Sequence, residues 1–265
     1  GLRLEGHDSK FIDSFDVRFS PQDSLLGGKA VLEMLASENS RFHASISKGY
    51  KSGGFNTSGS LDEPLRLFEP EILWNIELGW IVEFEKSDAS LRALLFKMDR
   101  SDVQISTSIV RVRDDGSSEF VEFTGNAAKG VNQGLELEYA QRVNDFALIR
   151  ASLGLLNSRY SGYNSPAGED LNGRDQAHAP SYQYSFSATF GGVSDWFGDI
   201  GIQGQDGFYF SDTHDFQSDA HALINAGLGR YIGDFEAHFW IKNLFDQEYS
   251  VRGFFFGNDP RTGYA

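Results

Sequence analysis

Hydrophobic side chains recur at every second position over long runs of this chain. From Leu73, one face reads Trp74, Ile76, Leu78, Trp80, Val82, Phe84, and the other Asn75, Glu77, Gly79, Ile81, Glu83. From Val131, one face reads Val131, Gln133, Leu135, Leu137, Tyr139 and the other Asn132, Gly134, Glu136, Glu138. Tyr182, Tyr184, Phe186, Ala188 and Phe190 alternate in the same way with Gln183, Ser185, Ser187 and Thr189. Period two is the signature of a strand with one apolar and one polar face. Between Arg41 and Tyr50 the apolar side is Phe42, Ala44, Ile46 and Tyr50, with Lys48 as its one charge, and the segment then opens through Gly53-Gly54 into a long polar connection. No long amphipathic helix and no run of eighteen apolar residues is present, so no transmembrane helix is expected.

The pattern predicts about twelve strands in an all-β, up-and-down arrangement. They are Gly1–Gly6, Leu25–Ala36, Arg41–Tyr50, Leu73–Glu85, Ala89–Val112, Ser118–Gln141, Phe146–Tyr160, Pro180–Phe190, Trp196–Phe210, Ala220–Tyr231, Phe235–Phe245 and a last one from Arg261. Short turns such as Ser37–Ser40, Lys86–Asp88 and Val143–Asp145 alternate with long links such as Lys51–Ile72 and Ser161–Ala179. Tight turns on one side and longer loops on the other fit an antiparallel transmembrane β-barrel. Alternation alone is shared with a soluble β-sandwich, whose apolar faces would meet in a core. Aromatics near both ends of the apolar faces, and the recurrence of such faces in nearly every strand, favour lipid. The pair Ala89–Val112 and Ser118–Gln141 exceeds the roughly nine to eleven residues that cross a bilayer, and predicts a hairpin standing above it. A strand broken by a bulge is the alternative.

Composition changes the picture in three ways. Phe, with 23 residues, and Tyr, with 10, supply an aromatic excess suited to interfacial girdles. Cysteine is absent, which removes disulfides and thiolate metal sites. The net charge of −15 offers no basic stripe for nucleic acid.

Several stretches together resemble a known family. They are Ser47-Lys48-Gly49-Tyr50-Lys51-Ser52-Gly53-Gly54-Phe55-Asn56, Phe68 to Gly79, Gly134-Leu135-Glu136-Leu137-Glu138, Leu171-Asn172-Gly173 to Ala179-Pro180, Lys242 to Tyr249, and Asp259 to Thr262. Their order and spacing are similar to the C-terminal part of the barrel of TonB-dependent outer-membrane receptors. The resemblance implies a place in the outer membrane of a Gram-negative bacterium, in a barrel of about twenty-two strands plugged by an N-terminal domain. It implies energy-coupled uptake of a scarce nutrient, most often a ferric siderophore. The plug and the TonB box are not in this sequence, so a TonB complex is a partner only where a plug is supplied. The chain is therefore expected to be one part of a larger barrel. If it closed alone, its first strand should pair with the region after Phe235. A passive pore or truncated, non-transporting barrel is the second reading, and a soluble glycan-binding module the third.

No nucleophile elbow, P-loop, dinucleotide fingerprint, HExxH or calcium loop occurs, and no enzyme, cofactor or metal site is expected. His214 and Asp215, beside Asp212, read as solvated loop charges. Asn75, Glu77, Glu83, Glu136 and Glu138 are expected to face the lumen. They would either pair with arginines of neighbouring strands or the plug, or line a channel that selects against anions. Ligand residues would come from the outer loops: Phe55, Asn56, Arg66, Phe68, Tyr160, Tyr163, Phe254, Phe255 and Phe256. Aromatic and arginine side chains suit an iron–siderophore complex or another flat anionic ligand, and serve equally in loop packing.

Overall fold

The structure, a computed structural model, describes residues 1–12, 16–164, 170–193, 195–212 and 215–253. Its strands are β1 (Leu2–Asp8), β2 (Phe11–Ile12), β3 (Arg18–Phe19), β4 (Gln22–Ser37), β5 (Ser40–Lys51), β6 (Gly54–Phe55), β7 (Leu67–Phe68), β8 (Glu71–Phe84), β9 (Ala89–Val112), β10 (Ser118–Asn144), β11 (Ala147–Ser161), β12 (Tyr182–Val193), β13 (Trp196–Gln205), β14 (His221–Ile232) and β15 (Phe235–Ile241). Eleven of them form one antiparallel sheet in the order β1-β4-β5-β8-β9-β10-β11-β12-β13-β14-β15. The hairpins β2–β3 and β6–β7 lie outside it, within long connections. The expected strand from Arg261 lies outside the described residues.

Neighbours in sequence are neighbours in the sheet, as short turns between antiparallel strands require. Residues 233–234 join β14 to β15 with Gly233 at φ 60, the conformation a two-residue hairpin turn needs at its first position. Among the described residues β1 pairs only with β4 and β15 only with β14. The sheet is thus open at both edges, as part of a barrel would be, and the alternative closure of β1 on the region after Phe235 is not formed there.

The registers carry single rungs of one face across many strands. Leu32, Ala44, Leu78, Leu95, Leu135, Leu155 and Tyr182 stand side by side in one of them. This apolar face is open: Leu78 is 55% exposed and Leu95 53%. No second sheet covers it among the described residues, so a sandwich core is not what these side chains serve. From Tyr182 to Phe190 the apolar band rises roughly 20 Å, given about 3.3 Å per residue and a tilt near 40°. Phe42 and Trp80 stack at its short-turn end, with centroids 5.8 Å apart.

Buried apolar clusters lie at the other end, above the band. Val103, Ile105, Tyr160 and Tyr163 form one with Leu171, and Leu61, Val121 and Phe123 form another with Leu65 and Ile109. Both use the tall hairpin β9–β10, which stays paired from Ala89↔Gln141 to Val112↔Ser118. Asp102 interrupts it with a left-handed φ of 54. Arg100 is the even-numbered inward residue before this point, and Val103 and Ile105 are the buried ones after it. The hairpin is therefore both tall and kinked, and the long connections fold against its upper half.

Candidate functional site

The connection at residues 52–70 is fastened to β10 by Asn56. Its amide nitrogen donates to the carbonyls of Leu65 (2.9 Å) and Thr124 (2.8 Å), and its oxygen accepts from the Thr124 amide (2.8 Å). Arg66 is buried, donates from Nε to the Leu61 carbonyl (3.3 Å), and lies 5.8 Å from the centre of the Phe19 ring. Phe55 joins an aromatic cluster across connections, 4.7 Å from Phe11 and 6.3 Å from Phe19 between ring centres. Phe68 stands opposite Gly54, and its ring fills the space a Cβ there would need. The structure therefore places Phe55, Asn56 and Arg66 within one folded loop, with the rings of Phe55 and Phe68 half-buried.

The connections at residues 162–181 and 206–220 meet over β11. The Tyr160 hydroxyl donates to Asp212 Oδ1 at 2.8 Å, which also accepts from the Ala177 amide at 2.9 Å. Asp212 is thus a loop-to-loop acceptor, a correction to its expected role as a solvated charge. Asp215 accepts from Arg174 Nη1 at 2.6 Å, and the guanidinium sits 4.0 Å from the centre of the Tyr209 ring. His214 and Phe254, Phe255 and Phe256 lie outside the described residues. Tyr163 is buried against Tyr160, ring centres 4.9 Å apart. Burial, and then the charge of Asp212, push the Tyr163 phenol up from 10.0 to about 12. A proton held more tightly in the folded state means stability that is full below the unfolded value and falls as pH rises. The loop at 162–181 should therefore loosen between pH 10 and about 12. Ultraviolet titration of tyrosinate should show this late-titrating phenol, and Tyr163→Phe should remove it.

Beneath these loops, on the polar face, lies a network that no sequence motif marks. Arg100 bonds Glu71 Oε1 at 2.7 Å through Nε, with Nη2 also 2.7 Å away, while Glu71 Oε2 accepts from the Gln104 amide (2.9 Å). Arg100 Nη1 donates to Gln176 Oε1 (3.1 Å), and Gln176 Nε2 to Asn132 Oδ1 (2.9 Å), which also accepts from Ser158 Oγ (3.2 Å). These residues are far apart in sequence, and only the registers bring them together.

The registers put Asn75, Glu77, Glu83, Glu136 and Glu138 on this same polar face. Glu77 accepts from Ser45 Oγ and from Asn75 Nδ2, both at 2.8 Å, and lies 3.8 Å from Lys29 Nζ. Asn75 is buried, and its Oδ1 has no hydrogen-bond partner among the described residues. Glu138 meets Arg92 at 3.2 Å. Glu83 and Glu136 are exposed. Beside Glu77, the His43 ring lies over Gly79, where a Cβ would collide with it. No group of His, Asp and Glu among the described residues is placed to hold a metal ion.

This geometry, an open up-and-down sheet with inward-folded loops at one end, coincides with a family match. Residues 1–244 match the family described as TonB dependent receptor-like, beta-barrel. The chain belongs to this family. A curated relative, the pesticin receptor of Yersinia pestis, is 23% identical over 90% of this chain and 34% of its own length. The ferric yersiniabactin uptake receptor FyuA from Yersinia pestis aligns with TM-score 0.74 and 20% identity, over 91% of this chain and 35% of that one. The siderophore receptor PiuA from Acinetobacter baumannii aligns with TM-score 0.73 and 15% identity, over 94% and 36%. The copper transporter OprC shares the fold at TM-score 0.68 and 15% identity, over 94% and 40%. The chain thus spans about a third of the relatives' length. Members of the TonB-dependent receptor family are outer-membrane proteins of Gram-negative bacteria. The open apolar face of this barrel segment is accordingly its lipid face, the polar face its inner face, and the long-connection end its outer end.

Proposed function

We propose that this chain forms part of an outer-membrane receptor that imports a ferric siderophore, with energy from a TonB complex acting through a plug. The family match carries the reading, and the relatives whose names mention ferric or siderophore uptake give it its substrate class. The ligand would be met at the outer end, where Phe11 and Phe55, packed on the buried Phe19, and the ring of Phe68 keep partly exposed surface. Asn56, Arg66, Tyr160 and Tyr163 would serve that site by fixing the loops, since their polar groups are engaged within the fold or their side chains buried. Glu77, Glu136 and Glu138 would face the plug.

The test is uptake of radioactive iron by an iron-starved strain whose only siderophore receptor is the complete protein. Supplied with phenolate, catecholate and hydroxamate ferric complexes in turn, it should take up iron from one class and lose uptake when TonB is deleted. Uptake that persists without TonB would support the passive-pore reading instead. Failure with every class would remove the siderophore assignment.

A further inference from the structure

The connection at 162–181 returns to the sheet as an extended segment beside β11. Arg159 and Asp175 form a bridge there, the Tyr160 amide donates to the Arg174 carbonyl (2.9 Å), and the Gln176 amide donates to the Ser158 carbonyl (3.1 Å). Successive side chains of an extended segment point to opposite sides. Gln176 reaches Arg100 and Asn132 on the inner face, while Asp175 meets Arg159 on the other side. Arg174, two positions from Gln176, therefore points into the mouth. Its guanidinium lies 4.0 Å from the centre of the Tyr209 ring, and Nη2 donates to the Ser211 carbonyl at 3.4 Å. Nη1 donates to Asp215 Oδ1 at 2.6 Å. The two halves of this ion pair are unlike: the side chain of Arg174 is 9% exposed and that of Asp215 92%.

The cation is thus fixed, with an aromatic ring setting its plane, and its counter-ion is a carboxylate standing almost wholly in water. Asp215 meets no other cation among the described residues. Asp212, three positions earlier, is a second carboxylate tied to Tyr160 and Ala177, and like charge so near weighs against Asp215 staying in place. We propose that Arg174, set on Tyr209, is an anion site of the mouth, and that Asp215 is its autoinhibitory occupant, displaced by a carboxylate of the incoming ligand. Carboxylate is the class because the group now in the site is one, and its planar fork matches a guanidinium edge. A neutral ligand could not take the place of Asp215, since it would leave a nearly buried guanidinium without its counter-ion. The tethered carboxylate also sets a threshold, because an anion in solution must outcompete one held close by the chain. The inference rests on the reading that the outer end receives the ligand.

The test is acetate binding by the complete receptor purified in mild detergent, read by saturation-transfer NMR with chloride keeping the ionic strength constant. Asp215→Ala should reach half-saturation at about fivefold less acetate than the wild type, the size of an exposed ion pair. Arg174→Gln should lose the saturable binding, and heat-modifiable gel migration should confirm that both variants fold. Hydrogen exchange gives a second readout. Asp215→Ala should quicken exchange at residues 174–178, and acetate, unlike chloride, should slow it again. Equal acetate binding by the wild type and Asp215→Ala would overturn the proposal, as would saturable binding that survives Arg174→Gln. Quickened exchange that acetate does not slow would leave the pair a structural clasp and overturn it too. Iron uptake that fails with every ferric complex, beside an acetate titration that goes as expected, would remove the import reading and leave the anion site standing.

Discussion

Leu78→Arg should destabilise the receptor in lipid by about 2–4 kcal/mol, because Leu78 stands near mid-height of the lipid face. It pairs with Ala44 on one side and Leu95 on the other, and the apolar run on its strand extends from Trp74 to Phe84. Neither rung neighbour carries a charge, and the bilayer interior offers no water to the guanidinium. The matched control is Glu136→Arg, which puts the same side chain at a neighbouring height on the inner face, where Glu136 is exposed. Gly79 is a poorer control than its polar-face position suggests, since the His43 ring already occupies the space above it. The measurement is urea-dependent refolding into phospholipid vesicles. Equal loss of stability in Leu78→Arg and Glu136→Arg would show that the two faces have been assigned wrongly.

Most of the wall was legible in the sequence because a strand with unlike faces writes its geometry into every second residue. The runs from Leu73, Val131 and Tyr182 gave both the strands and the rungs that later aligned across the sheet. Short polar turns such as Lys86–Asp88 marked the short ends. The outer end was less legible, since loop packing has no period. Tyr160 and Tyr163 were singled out for their aromatic character, yet their burial depends on Val103 and Ile105 from another hairpin. Asn56 was expected among the ligand residues of the outer loops, and its bonds to Thr124 cross 68 residues. The Arg100–Glu71 pair left no local signal at all. Arg100 reads as one more charge on a long strand until the register of β9 against β8 sets it near Glu71, and the kink at Asp102 shows only in its φ.

Arg100→Met should cost about 3 kcal/mol, the lower end of the range for breaking a buried ion pair, because Arg100 keeps some contact with water. Its side chain is 22% exposed and that of Glu71 10%. The substitution keeps most of the aliphatic bulk and leaves the Glu71 carboxylate with the Gln104 amide as its remaining hydrogen bond in the network. It also removes the donor that holds Gln176, through which the loop at 162–181 is tied to the inner face. The loss should therefore be local as well as global. Hydrogen exchange should quicken at the Gln176 amide, which donates to the Ser158 carbonyl, and at the Tyr160 amide, which donates to Arg174. Adding Glu71→Leu to Arg100→Met should recover much of the stability, because no uncompensated charge then remains buried. It should not restore slow exchange in the loop, because the contact from Arg100 to Gln176 is still absent. If the single and double variants lose the same stability, the pair does not act through burial of an unpaired carboxylate. If exchange at Gln176 is unchanged in both, the loop is held by the Tyr160–Asp212 bond and its neighbours alone, and Arg100 has no part in positioning it.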